Sequence, residues 1–386
     1  MKAFHRKTVV FVAFLTLIAA LAACAPAAAP TPVPTKAPAA AATQAPAPAP
    51  TKAAEVAKPT AAAPTAVPAT PTPKPATVKV GSLSAMADAG MWIAMERGYF
   101  KEQGITVQLE IFRGANELVP PLSTGQLDTI ASPVSPGLLA AADRGVDLKF
   151  VATKAQSIPK WETSWILLRK DLFDSGQVKT AADLKGMKLA IPSPGSLGEQ
   201  AFHLALEQAG LTVKDADVNV LAVGEMAAAF ANKAIAAAFS YEPFNARSVQ
   251  EGFAVKWIPS SQFFGGRAEA NSLVFGTSLL KDLDLGRRFM IANLKGMRDY
   301  NKAFGAGVGR AETINILIKY SSVKDPKLYD VMEMSYLDPN GTPDKKSMDA
   351  QYKWMVQTGL YTGKKTLDDL MDLSILDYAI QKLGRQ

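Results

Sequence analysis

The sequence is poor in the residues that build covalent and metal chemistry. Its 386 residues include one cysteine, Cys24, and two histidines, His5 and His203. A single cysteine forms no internal disulfide. There is no G-x-G-x-x-G, no Walker loop, no G-x-S-x-G and no His/Asp/Glu cluster at metal-ligand spacing. If the N-terminal residues are removed, the remaining body has no thiol and one histidine, so the usual nucleophile–base pairs cannot be assembled. These absences point away from an enzyme and from a bound cofactor or metal, and toward binding. The apolar run from Thr8, about sixteen residues long, is short of the roughly twenty that a spanning helix needs.

What stands at the start explains the one cysteine. Lys2, Arg6 and Lys7 precede the apolar run, and small residues follow it, the order of a secretion signal. Leu21-Ala22-Ala23-Cys24 resembles a bacterial lipobox, in which the thiol is lipidated and cleavage leaves the cysteine N-terminal. The reading is a lipoprotein signal over 1–23 with lipidation at Cys24. Its removal lowers the formal charge of +7 by three, so basicity gives no case for nucleic acid. Two or more acyl chains would hold the product stably at the membrane, on the extracytoplasmic face.

Residues 24–76 form the next unit. From Ala25 to Ala76 the chain carries 14 of its 26 prolines and neither glycine nor an aromatic residue. Such a segment has too little apolar bulk to offset the entropy of ordering, and proline biases it to an extended tether.

Residues 77–386 have globular composition and a length that favours two lobes. Strand-like stretches alternate with helical ones: Thr77–Gly81, a helix over Met91–Tyr99, "ITVQLEIF" from Ile105, a helix over Asn116–Ser123 despite its prolines, "DTIAS", a helix from Ser135-Pro136, "LKFVAT" from Leu148 and "TSWILLRK" from Thr163. A second series opens at Asp183, with "MKLAIPS", a helix over Leu197–Gln208, "VNVLAV", a helix over Met226–Lys233 and "AIAAAFS". "NSLVFG" follows from Asn271, and the tail from Lys281 reads as amphipathic helix. Alternation of this kind favours parallel sheets covered on both faces.

Open α/β sheets bind ligands at the carboxyl ends of their strands. That rule selects Ser84 and Asp88 in "SLSAMADAG", Ser132 in "ASPVSPG", Ser193 and Ser196 in "IPSPGSLGEQ", and Tyr241 and Glu242 in "SYEPF". Ser196 and Glu199 have capping-box spacing, and the free amides of that helix start suit a carboxylate, a sulfonate or a carbonyl; the serines alternatively do no more than cap. Glu242 alternatively bonds nearby backbone amides. Trp161, beside charged neighbours in "KWETSW", is the candidate for stacking on a planar ligand, whereas Trp165 and Trp92 suit core packing as well. His203 falls on the polar helix face and reads as solvated.

Four stretches then carry a family likeness: "ERGYFKEQGITVQLE" from Glu96, "LSTGQLDTIAS" from Leu122, "ADLKGMKLAIPSPGS" from Ala182 and "AIAAAFSYEPF" from Ala234. In this order they resemble the periplasmic solute-binding proteins of ABC importers for nitrate, sulfonate, taurine and thiamine-pyrimidine-type ligands. The resemblance implies a type II periplasmic-binding-protein fold: α/β, two lobes, joined by two crossing hinge segments near Trp161–Arg169 and Asn271–Thr277. Lobe 1 would be 77–165 with 275–386, and lobe 2 would be 166–274. It also implies an ABC permease and its ATPase as partners, a small-molecule ligand and a monomeric binding protein. Ser84, Asp88, Trp92, Ser132, Trp161, Ser193, Ser196, Tyr241 and Glu242 form the expected ligand set. The tryptophans and Tyr241, against few arginines in these loops, favour riboflavin or a thiamine-precursor pyrimidine; the alternatives are an alkanesulfonate, taurine or nitrate, or an extracytoplasmic enzyme using carboxylates.

Overall fold

A computed structural model describes residues 73–386; the expected signal, Cys24 and the expected tether as far as residue 72 lie outside the described residues. Two five-stranded mixed sheets organise the chain. The first contains β1 (Ala76–Ser82), β2 (Ile105–Ile111), β3 (Thr129–Ser132), β4 (Leu148–Ser157) and β10 (Ala268–Gly276), in the order β2-β1-β3-β10-β4. The second contains β5 (Ser164–Arg169), β6 (Lys188–Ile191), β7 (Asp217–Val220), β8 (Ala237–Tyr241) and β9 (Ala254–Pro259), in the order β7-β6-β8-β5-β9.

The two sheets repeat one plan. In each, four strands run in the same direction, and the strand second from one edge runs antiparallel to both neighbours. That strand is β10 in the first sheet and β5 in the second, and each is the strand that arrives from the other lobe. The α/β pattern legible in the sequence is thus realised as the type II periplasmic-binding-protein fold.

The helices that matter below are α1 (Ala89–Glu96), α2 (Pro136–Asp143), α3 (Leu197–Gln208), α4 (Val223–Ala231), α5 (Phe244–Gln250), α6 (Leu283–Gly305), α7 (Arg310–Tyr320), α8 (Lys345–Gln357) and α9 (Ser374–Leu383). Strand side chains alternate between faces, so each sheet has two apolar layers. Trp92, Phe275, Phe289 and Tyr300 pack on one side of the first sheet, and Leu138, Phe150 and Trp354 on the other. In the second sheet Ile166, Leu189, Phe202 and Phe239 fill one layer, and Leu167, Ala190 and Phe230 the other. The α1–α6 contact is closer than side chains normally allow. A Cβ at Gly296 would land on the carbonyl oxygen of Gly90.

The first crossing is the segment 158–163 between β4 and β5. This corrects the expected position near Trp161–Arg169, because Ser164–Arg169 already pairs within the second sheet. The segment begins with a turn closed by Trp161 N–H donating to the Ile158 carbonyl at 2.8 Å, with Lys160 at φ 73°. The second runs from Pro259 to Ala268 through a one-turn helix, Ser260–Phe264. This corrects the expected position at Asn271–Thr277: β10 already pairs with β4 from Ala268 onward, so "NSLVFG" lies inside a first-sheet strand. Glu162 ties the crossings together, accepting from Ser260 Oγ at 2.9 Å and from the Ser261 amide at 3.4 Å. Burial pushes its carboxyl above the usual range. Among the described residues, no helix is long and apolar enough to cross a membrane.

Candidate ligand-binding site

In each sheet the first strand of the parallel set has its two successors on opposite sides, which makes the crevice at the carboxyl ends of β1/β3 and of β6/β8 the switch point where such sheets hold ligands. Those ends carry the serine-rich loops.

At the end of β1, Ser82 Oγ donates to Asp88 Oδ2 at 2.6 Å and accepts from the Ser84 amide at 3.0 Å. Ser84 takes a left-handed φ of 53°. Asp88 is buried, and its other oxygen lies 2.7 Å from Lys154 Nζ on β4. At the end of β3, Ser132 Oγ is turned onto the Pro133 carbonyl at 2.9 Å. Ser135 then caps α2, accepting from the Leu138 amide at 3.4 Å, with Pro136 as the first helical residue.

The second sheet answers with an equivalent construction. Strand β6 ends at Ile191, and half-buried Ser193 lies in the turn that follows. Ser196 caps α3 by accepting from the Glu199 amide at 3.3 Å. Glu199 reaches back to the Gly195 amide, 2.7 Å away, rather than to the cap's own amide. Gly198 sits directly on Phe239 of β8, which fixes the helix start against the sheet. Both caps leave first-turn amides without intrahelical acceptors. The two helix starts, one from each lobe, meet: a Cβ at Gly195 would stand 2.6 Å from Cγ of Pro136.

At the end of β8, Tyr241 packs edge-on to Phe244 with ring centres 6.0 Å apart. Burial raises its phenol above the ordinary value. Glu242 has both oxygens engaged within the protein. One accepts from the Ala246 amide at 3.0 Å; the other meets Lys256 Nζ at 2.8 Å and the Glu333 amide at 3.4 Å. Of the two uses open to Glu242, the geometry realises the bond to backbone amides. Desolvation outweighs the nearby ammonium and holds this carboxyl above its usual range.

The tryptophans go elsewhere. Trp92 is fully buried in the first-lobe core and stacked on Tyr320 at 6.0 Å and 15°. Trp161 stands edge-on to Tyr336 at 6.1 Å, beside Gly305. Trp165 Nε1 donates to the Glu162 carbonyl at 2.9 Å and approaches Glu333 Oε2 at 3.3 Å. His203 is half-buried beside Trp354, ring centres 6.1 Å apart, rather than fully solvated. The structure therefore gathers Ser84, Asp88, Ser132, Ser193, Ser196 and Tyr241 at the facing strand ends, and keeps Trp92 and Trp161 in packing roles.

Sequence reasoning missed Lys154. Its side chain is only 3% exposed, in a strand whose other residues are mostly apolar apart from Lys149 at its start and Gln156 near its end. The signal was present in "LKFVATKAQS", where the second of two lysines, Lys154, follows the apolar run Phe150–Ala152 and so, if buried, requires a partner. Among the described residues, no group of His, Cys, Asp and Glu is arranged to hold a metal ion.

Comparison with known proteins bears on the fold. Residues 71–262 match the NMT1-like family. A provisionally named binding protein of Brucella abortus (strain 2308) is 25% identical over 238 residues, covering 61% of this chain and 68% of that protein. Among solved structures, the periplasmic nitrate-binding protein NrtA from Synechocystis PCC 6803 superposes with a TM-score of 0.66 at 16% identity, covering 81% of this chain and 90% of the other. The periplasmic aliphatic sulphonate-binding protein SsuA from Escherichia coli gives 0.61 at 17% identity, covering 79% and 100%. At such identities the likeness is one of fold. The fold also carries catalysis, since a desulfurization enzyme matches at a TM-score of 0.57.

Proposed function

We propose that this protein is the substrate-binding component of an ABC import system, held outside the cytoplasm by a lipid at Cys24 and a proline-rich tether. Its ligand, in this reading, is a compact anion of the alkanesulfonate, taurine or nitrate class. The fold and the Brucella relative support the binding role. The observation that carries the ligand class is the meeting of two serine-capped helix starts, α2 and α3, at Pro136 and Gly195. Helix N-termini present free amides and the positive end of the helix dipole, and favour anions.

A planar vitamin is the weaker reading. It rests on the tryptophans and Tyr241; Trp92, Trp161 and Trp165 are engaged with Tyr320, Tyr336 and Glu333, which leaves Tyr241 as the one of these aromatic residues at the facing strand ends. An enzymatic role is weaker still, because Glu242 is engaged with Lys256 and backbone amides. The lobe division we adopt follows the sheets, one lobe built on β1–β4 and β10 with the C-terminal helices, the other on β5–β9. A permease and an ATPase are the expected partners.

The test is a ligand panel followed by thermal melting and titration calorimetry. An alkanesulfonate, taurine or nitrate should raise the melting temperature, by an amount equivalent to about 2.7 kcal/mol at a hundredfold excess over Kd. Stabilisation by riboflavin or a pyrimidine with none of the anions active would overturn the ligand class. Replacing Cys24 by Ser should release the protein from membranes; retention would overturn the anchor.

A further inference from the structure

We infer that Lys154 is the residue that receives the ligand's charge, and that its pairing with Asp88 restricts the cleft to singly charged anions. This rests on the binding reading above and narrows it. Three observations carry it.

The first is position. On β4, Thr153 stands in register with Ser272, which in turn pairs with Ser132 of β3. Lys154 therefore lies at the carboxyl edge of the first sheet, level with the loop that starts α2. The second is an unfinished hydrogen-bond inventory. The ammonium has three N–H groups, and among the described residues the one charged group paired with it is Asp88, at 2.7 Å. That approach is off the hydrogen-bonding direction, for Asp88 Oδ1 completes no hydrogen bond among the described residues. Asp88 is itself fixed, because Ser82 Oγ holds its other oxygen at 2.6 Å. Among the described residues this buried ammonium has one ion-pair partner for its three N–H groups, and burying it that way is unfavourable unless a further acceptor joins it.

The third is charge balance. The Lys154–Asp88 pair is neutral as a unit. The two helix starts contribute roughly half a positive charge each, so the cleft offers about one positive charge in all. A monoanion neutralises it, whereas a dianion leaves an uncompensated negative charge beside Asp88. Asp88 is thus a specificity-determining residue as well as the one that positions Lys154.

The experiment uses the full chain, with methanesulfonate, nitrate and sulfate as probes in titration calorimetry. The wild type should bind at least one of the two monoanions and bind sulfate at least about tenfold more weakly, the scale of one added charge interaction near a surface. The double variant Asp88→Asn, Lys154→Met leaves no lone buried charge; it should melt near the wild-type temperature and lose at least about 50-fold in monoanion affinity. Asp88→Asn alone should shift the preference toward sulfate by about tenfold. A folded double variant that binds the monoanion like the wild type overturns the role of Lys154 and leaves the binding reading standing. Should the double variant fail to fold, unchanged selectivity in Asp88→Asn alone overturns the charge rule. A wild type that binds none of the three probes overturns the anion reading, and this inference with it.

Discussion

Gly195 rests on the ring of Pro136, so that a Cβ at Gly195 would stand 2.6 Å from Cγ and 2.8 Å from Cδ of the proline. One residue precedes the cap of a lobe-2 helix; the other opens a lobe-1 helix. Only glycine fits, both for that approach and for its φ of 70°. On the same side, Gln200 Nε2 of α3 donates to the Ala350 carbonyl of α8 at 3.2 Å. The lobes thus touch through the elements that carry the candidate anion site.

Gly195→Ala should hold the lobes apart. The proline ring is rigid, and the left-handed backbone adds about 1 kcal/mol of strain. We expect a larger radius in solution scattering and about tenfold weaker ligand binding, equivalent to about 1.4 kcal/mol. Unchanged scattering and affinity would show that this contact does not limit closure.

Lys256 sits between Glu242 and Glu333, with Nζ at 2.8 and 3.0 Å from their oxygens. Lys256→Met would strand the buried Glu242 carboxylate, and removing one partner of a buried pair costs about 3–5 kcal/mol. Urea unfolding at pH 7 should show a loss of this order, with part of it recovered on adding Glu242→Gln. A loss below about 1 kcal/mol would mean that Glu242 is already neutral in the wild type.

Glu269, at the start of β10, is fully buried and accepts from Gln156 Nε2, Ser272 Oγ and the Asp344 amide at 2.9, 2.8 and 3.0 Å. Burial without a direct cation pushes its carboxyl up to about 7. The folded state therefore keeps this proton after the unfolded chain has lost its own. Its contribution to stability is full below the ordinary glutamate range and is lost as pH rises through about 7. The melting temperature of Glu269→Gln should lack that decline between pH 5 and 8; parallel wild-type and variant profiles would refute the assignment.

Gly296→Ala should separate α1 from α6, because the added carbon would land on a backbone carbonyl of Gly90 that cannot turn aside. Overpacking of this kind costs about 3 kcal/mol. Chemical denaturation should show it. A near-neutral result would mean that the helices slide apart at no cost.

Much of the fold was legible because it depends on local rules. The helix Leu197–Gln208 emerges with the bounds its pattern implied, since Ser196 caps one end and its apolar stripe, Leu197, Ala201 and Ala205, is buried. Ser135-Pro136 starts α2 for the same reason. Boundaries set by pairing were harder to read. The second crossing fell earlier than expected because Ala268 is claimed by β4, a partner more than a hundred residues away.

The site divides along the same line. The serines at strand ends follow from local order, because a polar turn between a strand and a capped helix is written in adjacent residues. The fates of the tryptophans and of Lys154 are not. Trp92 meets Tyr320, Trp161 meets Tyr336, and Lys154 meets Asp88, each across a long stretch of chain. The sequence by itself determined the alternation that makes an α/β protein and the serine caps, for these depend on neighbours a few residues apart. Only the tertiary structure decided which charges and rings reach the cleft, because burial and long-range pairing assign a side chain's partner, and partners far apart in sequence leave no periodicity to read.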